Sequence, residues 1–519
     1  MSVHPLPTTR ALVFAALFVS LTGCTLLGPD FKPPQAQAPD DWSSWHSGAP
    51  ELRDGLAVSA ATLPEQWWTV FNDTTLNELQ ARALQASPDL QTAALRFAQS
   101  RAQRATSAAQ RGPEVNASGS ARRQRESETG ASTRLISAIA PGGAGSQQII
   151  SLLSSPYNLY QAGFDASWEL DLWGRVRRTI EAADADLAAS AEMLAQTRLS
   201  IASDVARNYF ELRNTQRQLR LAREDIAAAE ETLQLIEART RGGLIDQVDQ
   251  NRQTAQLADL RARLPQLLGQ EAVTMNQISL LVGARPGELQ QILAPAAAPT
   301  LAALPDLTLG VPSDIARRRP DIRQAEQKLH SATATIGAAR ADLLPRLTLG
   351  ASFGLESLLD NKFGDWGSRR WSLGPSLSLP IFDNGRRRAT VELRELQQQE
   401  AAVSFQQTVL KAWQEVDDTL NNYDAERKRN TQLIAKQGSS KEAYDLARAK
   451  YKGGLTDYLS QLDAQRTLLQ ADRDLADSDS LLRERLVAVY KAVGGGGPVL
   501  AGPEQKAAEK AAPEKAAVR

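Results

Sequence analysis

Four short segments of the chain alternate apolar and polar residues with a period of two. In Tyr160 to Leu172 one face reads Tyr160, Ala162, Phe164, Ala166, Trp168, Leu170 and Leu172, and the other is Gln, Gly, Asp, Ser and Glu. Arg346 to Leu355 sets Leu347, Leu349, Ala351, Phe353 and Leu355 against Thr348, Gly350, Ser352 and Gly354. Trp371 to Ile381 repeats the pattern, and Glu114 to Ala121 is a weaker fourth case. Such alternation predicts strands with one apolar and one polar face. Lengths of about 8 to 13 residues suit a tilted strand crossing an outer membrane. Trp168, Trp173, Trp366 and Trp371 sit in or beside these segments, as interfacial girdles do. Four strands cannot close a barrel around a polar lumen, so the chain is expected to oligomerise.

Between the strand pairs the pattern turns helical. Gly174 to Arg241 holds no proline and no further glycine. As one helix it would extend about 100 Å. Val205, Leu212, Leu219, Ile226 and Leu233 recur every seven residues, a coiled-coil seam. Thr74 to Arg111 and Ile245 to Gly283 predict helices of about 58 Å each, so two end to end match the long one.

An internal repeat orders these elements. Gly174-Arg175 and Gly385-Arg386, Gly242-Gly243-Leu244 and Gly453-Gly454-Leu455, Asp246 and Asp457, and Val282-Gly283 and Val493-Gly494 all keep one spacing. Upstream, Pro88-Asp89-Leu90 and Pro113 match Pro320-Asp321-Ile322 and Pro345 at a longer one. The extra residues fall in the Ser/Gly-rich loop from Glu126 to Pro156. Each half is therefore helix, strand hairpin, very long helix, Gly-Gly turn, helix. The expected boundaries are 1–23, 24–72, 73–283, 284–312, 313–494 and a low-complexity tail over 495–519.

Composition narrows the function. The chain has 519 residues, and its charged residues, 23%, are too many for a multi-span helical membrane protein. With 59 basic against 60 acidic side chains there is no electrostatic case for nucleic acid. Three histidines and one cysteine leave no Cys/His zinc site and no disulfide within a chain. That cysteine follows Arg10, an apolar run from Ala11, and Leu21-Thr22-Gly23, so the first 23 residues resemble a lipoprotein signal peptide with Cys24 as the acylated residue. Thr25, where inner-membrane retention would favour Asp, implies sorting to the outer membrane.

Taken with that lipobox, Gly28-Pro29-Asp30-Phe31-Lys32-Pro33-Pro34, the two Pro-Asp starts, and Tyr451-Lys452-Gly453-Gly454-Leu455 through Leu462-Asp463-Ala464-Gln465-Arg466 resemble the TolC-type outer membrane factors. The nearest branch is the NodT-like lipoproteins of tripartite efflux systems. The resemblance implies a mixed α/β membrane protein, a homotrimer with a 12-stranded outer-membrane β-barrel continued by a 12-helix periplasmic α-barrel. Residues 284–312 would lie in an equatorial domain. It also implies a passive gated duct used by an inner-membrane pump and a periplasmic adaptor, in contact with outer-membrane lipids and without a cofactor. Polypeptide secretion is the alternative within the fold. A lipid-anchored coiled-coil spacer or adhesin stalk explains the helices but not the strands.

Two site expectations follow. Gly242, Gly243, Leu244, Gly453, Gly454 and Leu455 make the tight turns at the tunnel tip, with the leucines as apolar handles for the adaptor. The family's periplasmic gate maps onto Leu459, Asp463 and Arg466, with Tyr451 as a further contact. Asp457, Asp246 and Asp249 are additional candidates. Asp463 and Arg466 share a helical face, and threefold symmetry would make acidic rings that bind cations.

Other motifs carry less. Gly350-Ala351-Ser352-Phe353-Gly354 fits G-x-S-x-G, but the serine lies in an alternating strand and no histidine follows it. No phosphate loop or H-E-x-x-H occurs, and no catalysis is expected. His46 and His330 are expected at the surface. Arg175, Arg177, Arg178, Arg386, Arg387, Arg388, Arg122, Arg123 and Arg125 suggest a solvated collar, with lipid phosphate contact as the alternative. Arg317 to Arg319 are expected at a helix entrance.

Overall fold

The computed structural model describes residues 26–35, 38–39, 45–52, 58–59, 63–130, 134, 144–243, 246–295, 304, 307–309 and 312–496. Among these the chain divides into two compact units. The described residues of Met1–Lys32, Arg101–Asp186 and Leu329–Glu400 make up one, and those of Pro33–Ser100, Leu187–Lys328 and Ala401–Arg519 make up the other. The helices are α1 (Thr74–Ala86), α2 (Pro88–Ala109), α3 (Ala144–Leu153), α4 (Arg175–Arg241), α5 (Gln247–Leu281), α6 (Ile315–Arg318), α7 (Pro320–Ala341), α8 (Arg386–Lys452) and α9 (Tyr458–Ala492). The strands are β1 (Val58–Ser59), β2 (Glu114–Gln124), β3 (Tyr157–Leu170), β4 (Leu307–Thr308), β5 (Arg346–Ser357) and β6 (Arg369–Ser378).

The first unit carries a four-stranded antiparallel sheet in the order β2-β3-β5-β6. Its register aligns like with like. Ala117, Phe164, Phe353 and Trp371 form one row across all four strands, and Asn116, Asp165, Ser352 and Ser372 form the next row on the opposite face. The apolar face is not covered: Phe164 is 60% exposed and Trp371 71%. A half-buried strand of a water-soluble sheet would have turned this face into a core. Gly163 and Gly354 lie opposite each other, and a Cβ on either would meet the other strand's backbone below 3 Å. The last strand ends at Ser378 rather than Ile381, because Pro380 offers no N–H to a ladder. The long loop after β2 contains α3, a ten-residue helix that the Ser/Gly-rich composition did not signal.

The second unit is helical. Its main cluster joins Trp67, Phe71, Leu76 and Leu79 to Tyr209, Leu212, Leu486 and Tyr490. The heptad positions of α4 supply buried faces: Val205 and Leu212 enter this cluster, and Ile226 and Leu233 pack against a second one with Leu257, Leu260 and Leu469. β1 and β4 add a two-residue parallel pair.

The helix lengths match in pairs. α4 and α8 have 67 residues each, α5 and α9 have 35 each, and α2 and α7 have 22 each. The single helix expected over Thr74 to Arg111 is instead α1 and α2, broken at Ser87, whose ψ of 124° is extended. Arg319 breaks α6 from α7 in the same way, with ψ 119°. In both places a proline follows, and its ring disfavours helical backbone one residue earlier. No helix among the described residues is long and apolar enough to cross a membrane.

Candidate tip, gate and membrane anchor

Both long helices end in the same turn chemistry. At the end of α8, Gly454 adopts φ +71°, its N–H bonds to the Tyr451 carbonyl at 3.0 Å, and Leu455 N–H reaches the Lys450 carbonyl at 2.9 Å. This is a Schellman closure, in which a left-handed residue lets two orphan carbonyls find donors. At the end of α4, Gly243 has φ +69° and donates to the Thr240 carbonyl at 3.0 Å, while Gly242 donates to Ala238 at 3.1 Å. Glycine is needed because a Cβ strains this backbone. The Leu455 side chain is left 80% exposed. Leu244 lies outside the described residues.

The next helices begin at aspartates. Asp457 accepts from Ser460 N–H at 2.9 Å and from the Ser460 hydroxyl at 2.6 Å, which holds its carboxyl below the usual carboxylate range. Asp246 accepts from Val248 N–H at a long 3.5 Å. Both are N-caps, so these two gate candidates already serve a structural end.

Behind the caps, the second unit brings together several remaining candidates. Tyr451 is buried with Ile236, Tyr458 and Leu462, and the Arg239 guanidinium lies 4.9 Å over its ring. Asp249 pairs with Arg252 at 3.4 Å. Arg466 donates from Nε to Gln256 Oε1 at 2.8 Å. The shared face of Asp463 and Arg466 therefore does not produce an ion pair; among the described residues Asp463 has none, and Arg466 reaches α5 instead. Leu459, 49% exposed, and Asp463 stand outward on one face of α9.

At the centre is a pair that sequence reasoning missed. Tyr458 donates its phenol hydrogen to Gln253 Oε1, and Gln253 Nε2 donates to the Ala229 carbonyl at 2.7 Å. Burial, with Tyr451 and Asp249 nearby, pushes the Tyr458 phenol well above its ordinary range. Arg466 opposes that shift. No sequence signal marks this link, because it joins α5 to α9 across the two halves of the chain. Further along α4, burial raises the Asp225 carboxyl to about 7, with Asp472 of α9 and neighbouring Glu224 adding to the shift.

In the first unit, the segment after Cys24 is fastened by the motif that follows it. Cys24 lies outside the described residues. Gly28, with φ +89°, sits against Gly337, where a Cβ would come within 2.5 Å of Gly337 Cα. Asp30 pairs with Arg178 at 2.7 Å, and Phe31 stacks on His330 with centroids 4.3 Å apart. The solvated collar fails at Arg178, which is 2% exposed and also bonds the Leu27 carbonyl and Glu181. Arg175 makes a bidentate pair with Glu169 at 2.8 Å. Asp171 accepts the Val176 and Arg177 backbone N–H groups at 3.0 and 2.9 Å, placing an anion at a helix start crowded with cations. Arg387 pairs with Asp383 at 3.1 Å.

The histidines are likewise more enclosed than expected. His330 contacts Glu181 at 3.1 Å, and His46 contacts Asp417 at 2.6 Å. Among the described residues no group of His, Cys, Asp and Glu can hold a metal ion. Arg318 and Arg319 are buried, and Arg319 binds Asp321, Glu415 and the Ala492 carbonyl. Ser352 lies within β5, its hydroxyl 2.8 Å from Ser372, so the G-x-S-x-G serine is on a strand and not at an elbow.

The profile described as outer membrane efflux protein matches residues 79–284 and 311–495. Outer membrane protein OprJ of Pseudomonas aeruginosa is 32% identical over 484 residues, covering 93% of this chain and 95% of OprJ. The toluene efflux pump outer membrane protein TtgI of Pseudomonas putida is 31% identical, covering 94% of this chain and 98% of its own. The solved outer-membrane channel OprN superposes with a TM-score of 0.78 at 30% identity, covering 91% of this chain and 99% of OprN.

Proposed function

The chain belongs to the outer membrane efflux protein family, and on that premise we propose how it builds its duct. It is the outer-membrane channel of an efflux system, placed in the outer membrane of a Gram-negative bacterium. Three copies join β6 of one to β2 of the next, giving a 12-stranded barrel continued by a 12-helix periplasmic barrel. The carrying observation is the four-stranded sheet. Its apolar face stays exposed, and among the described residues its edge strands β2 and β6 lack a second neighbour. In a bilayer an open edge leaves backbone groups unsatisfied, so closure by identical copies removes the cost. The polar rows then line a wet lumen, and the apolar rows face lipid.

The duct is passive, and energy comes from an inner-membrane pump through a periplasmic adaptor. Support for the adaptor contact comes from Leu455, exposed beyond a rigid glycine turn. Leu459 and Asp463 face outward beside it, so threefold symmetry would bring three copies of each to the axis and form the gate with Arg466. Cys24 carries the lipid anchor, and residues 28–31 clip the following segment to the sheet-bearing unit.

Purified protein should run as a heat-modifiable trimer and give single-channel steps in planar bilayers. Monomers without conductance would refute the duct.

A further inference from the structure

We propose that this barrel holds phosphorylated lipid of the outer leaflet at each seam between protomers, between Arg369 of one copy and Arg123 of the next. The inference rests on the trimeric barrel described above. Arg123 has the parity of Val115 and Ala117 on β2, and Arg369 has the parity of Trp371 and Leu373 on β6. Both therefore lie on the apolar, lipid-facing side. Both also lie at the sheet end formed by Gln124, Tyr157, Ser357 and Arg369. The opposite end leads from β3 into α4 within five residues, so it is the periplasmic end, and the arginine end meets the outer leaflet.

Their electrostatics differ from those of Arg370 and Arg125. Arg370, one residue along and on the polar face, pairs with Glu356. Arg125 pairs with Glu128. Among the described residues Arg123 and Arg369 have no carboxylate partner, although both are exposed. Arg369 is held in place: its guanidinium lies 4.8 Å over the Trp366 ring and donates to the Trp366 carbonyl at 2.8 Å. An unpaired cation on a lipid-facing surface needs an anion at the headgroup level, and phosphate is the anion a guanidinium fork fits best. Closing the ring puts β6 beside β2 of the next copy, about 5 Å apart. The two guanidinia then stand at the same end and on the same face, flanking a single phosphate.

Native mass spectrometry of the detergent-purified trimer tests this with diphosphorylated lipid A, dephosphorylated lipid A and inorganic phosphate. Wild-type trimers should retain the diphosphorylated lipid about tenfold better than the dephosphorylated one. R123Q/R369Q should lose that preference, while R370Q keeps it. If the double variant does not assemble, R123Q and R369Q alone should each lose part of the preference. Retention of the preference by R123Q/R369Q or by both single variants, or equal loss in R370Q, overturns the proposal. Displacement of the lipid by equimolar inorganic phosphate would reduce the site to a free-phosphate site and overturn the lipid assignment. Conductance of the same trimers separates the two readings. Conducting trimers without phosphate preference sink the clamp alone, whereas trimers that bind lipid but never conduct sink the duct.

Discussion

Tyr458 donates its phenol hydrogen to the Gln253 carboxamide, so the first residue of α9 is tied to the second turn of α5, and through the Ala229 carbonyl to α4. Both side chains are buried, so removing the phenol hydroxyl leaves the carboxamide oxygen without its donor. Tyr458→Phe should therefore cost about 1–3 kcal/mol of stability, the range for an unsatisfied buried acceptor. Urea unfolding followed by circular dichroism measures it. A variant as stable as wild type would show that the link is incidental.

The Asp225 carboxyl titrates near 7 because it is half-buried and faces Asp472. A raised folded-state pKa means that the folded protein holds the proton more tightly than the unfolded chain does. The stabilising contribution is full below the unfolded carboxylate range, near 4, and is lost as pH climbs through about 7. Wild-type unfolding midpoints should drop between about pH 4 and pH 7, and Asp225→Asn should flatten that drop. Equal slopes for the two proteins would remove Asp225 as the cause.

At the tip, Leu455→Asp places a charge on an apolar group that already stands in solvent, so folding should be unaffected. Combined with Leu244→Asp it should abolish crosslinking to the adaptor while trimer yield stays normal. Undiminished crosslinking would leave the leucines with no docking role.

The gate has a separable signature. Asp463 has no ion-pair partner among the described residues, whereas Arg466 is bonded to Gln256. Asp463→Ala should raise bilayer conductance and weaken block by divalent cations, since it removes an outward charge. Arg466→Ala should in addition lower stability by about 0.5–1.5 kcal/mol through the lost hydrogen bond. Wild-type conductance and block in both variants would place the constriction elsewhere.

Cys24→Ser should abolish incorporation of radiolabelled palmitate. The sheet carries its own apolar face, so membrane insertion should persist. Labelling at the wild-type level would reject the lipid anchor.

Much of the fold was legible because its patterns are periodic. Alternation located all four long strands, since a strand with one apolar face must repeat every two residues. The unbroken stretch after Gly174 predicted α4, and the glycine landmarks at Gly242-Gly243 and Gly453-Gly454 marked both turns, since few residues tolerate their positive φ. The sequence also singled out Asp246, Asp249, Tyr451, Asp457 and Arg466 as gate candidates. What it could not decide was what each side chain touches. Arg178 reads as one of a run of surface arginines, yet the distant Asp30 and Leu27 carbonyl draw it inside. Asp463 and Arg466 share a face, yet Gln256 on another helix takes the arginine. Tyr458 and Gln253 meet only because α5 and α9 pack side by side, a pairing that no local period encodes. Backbone periodicity is local and therefore written along the chain. Hydrogen-bond partnership depends on which helices become neighbours, and tertiary packing alone settled that.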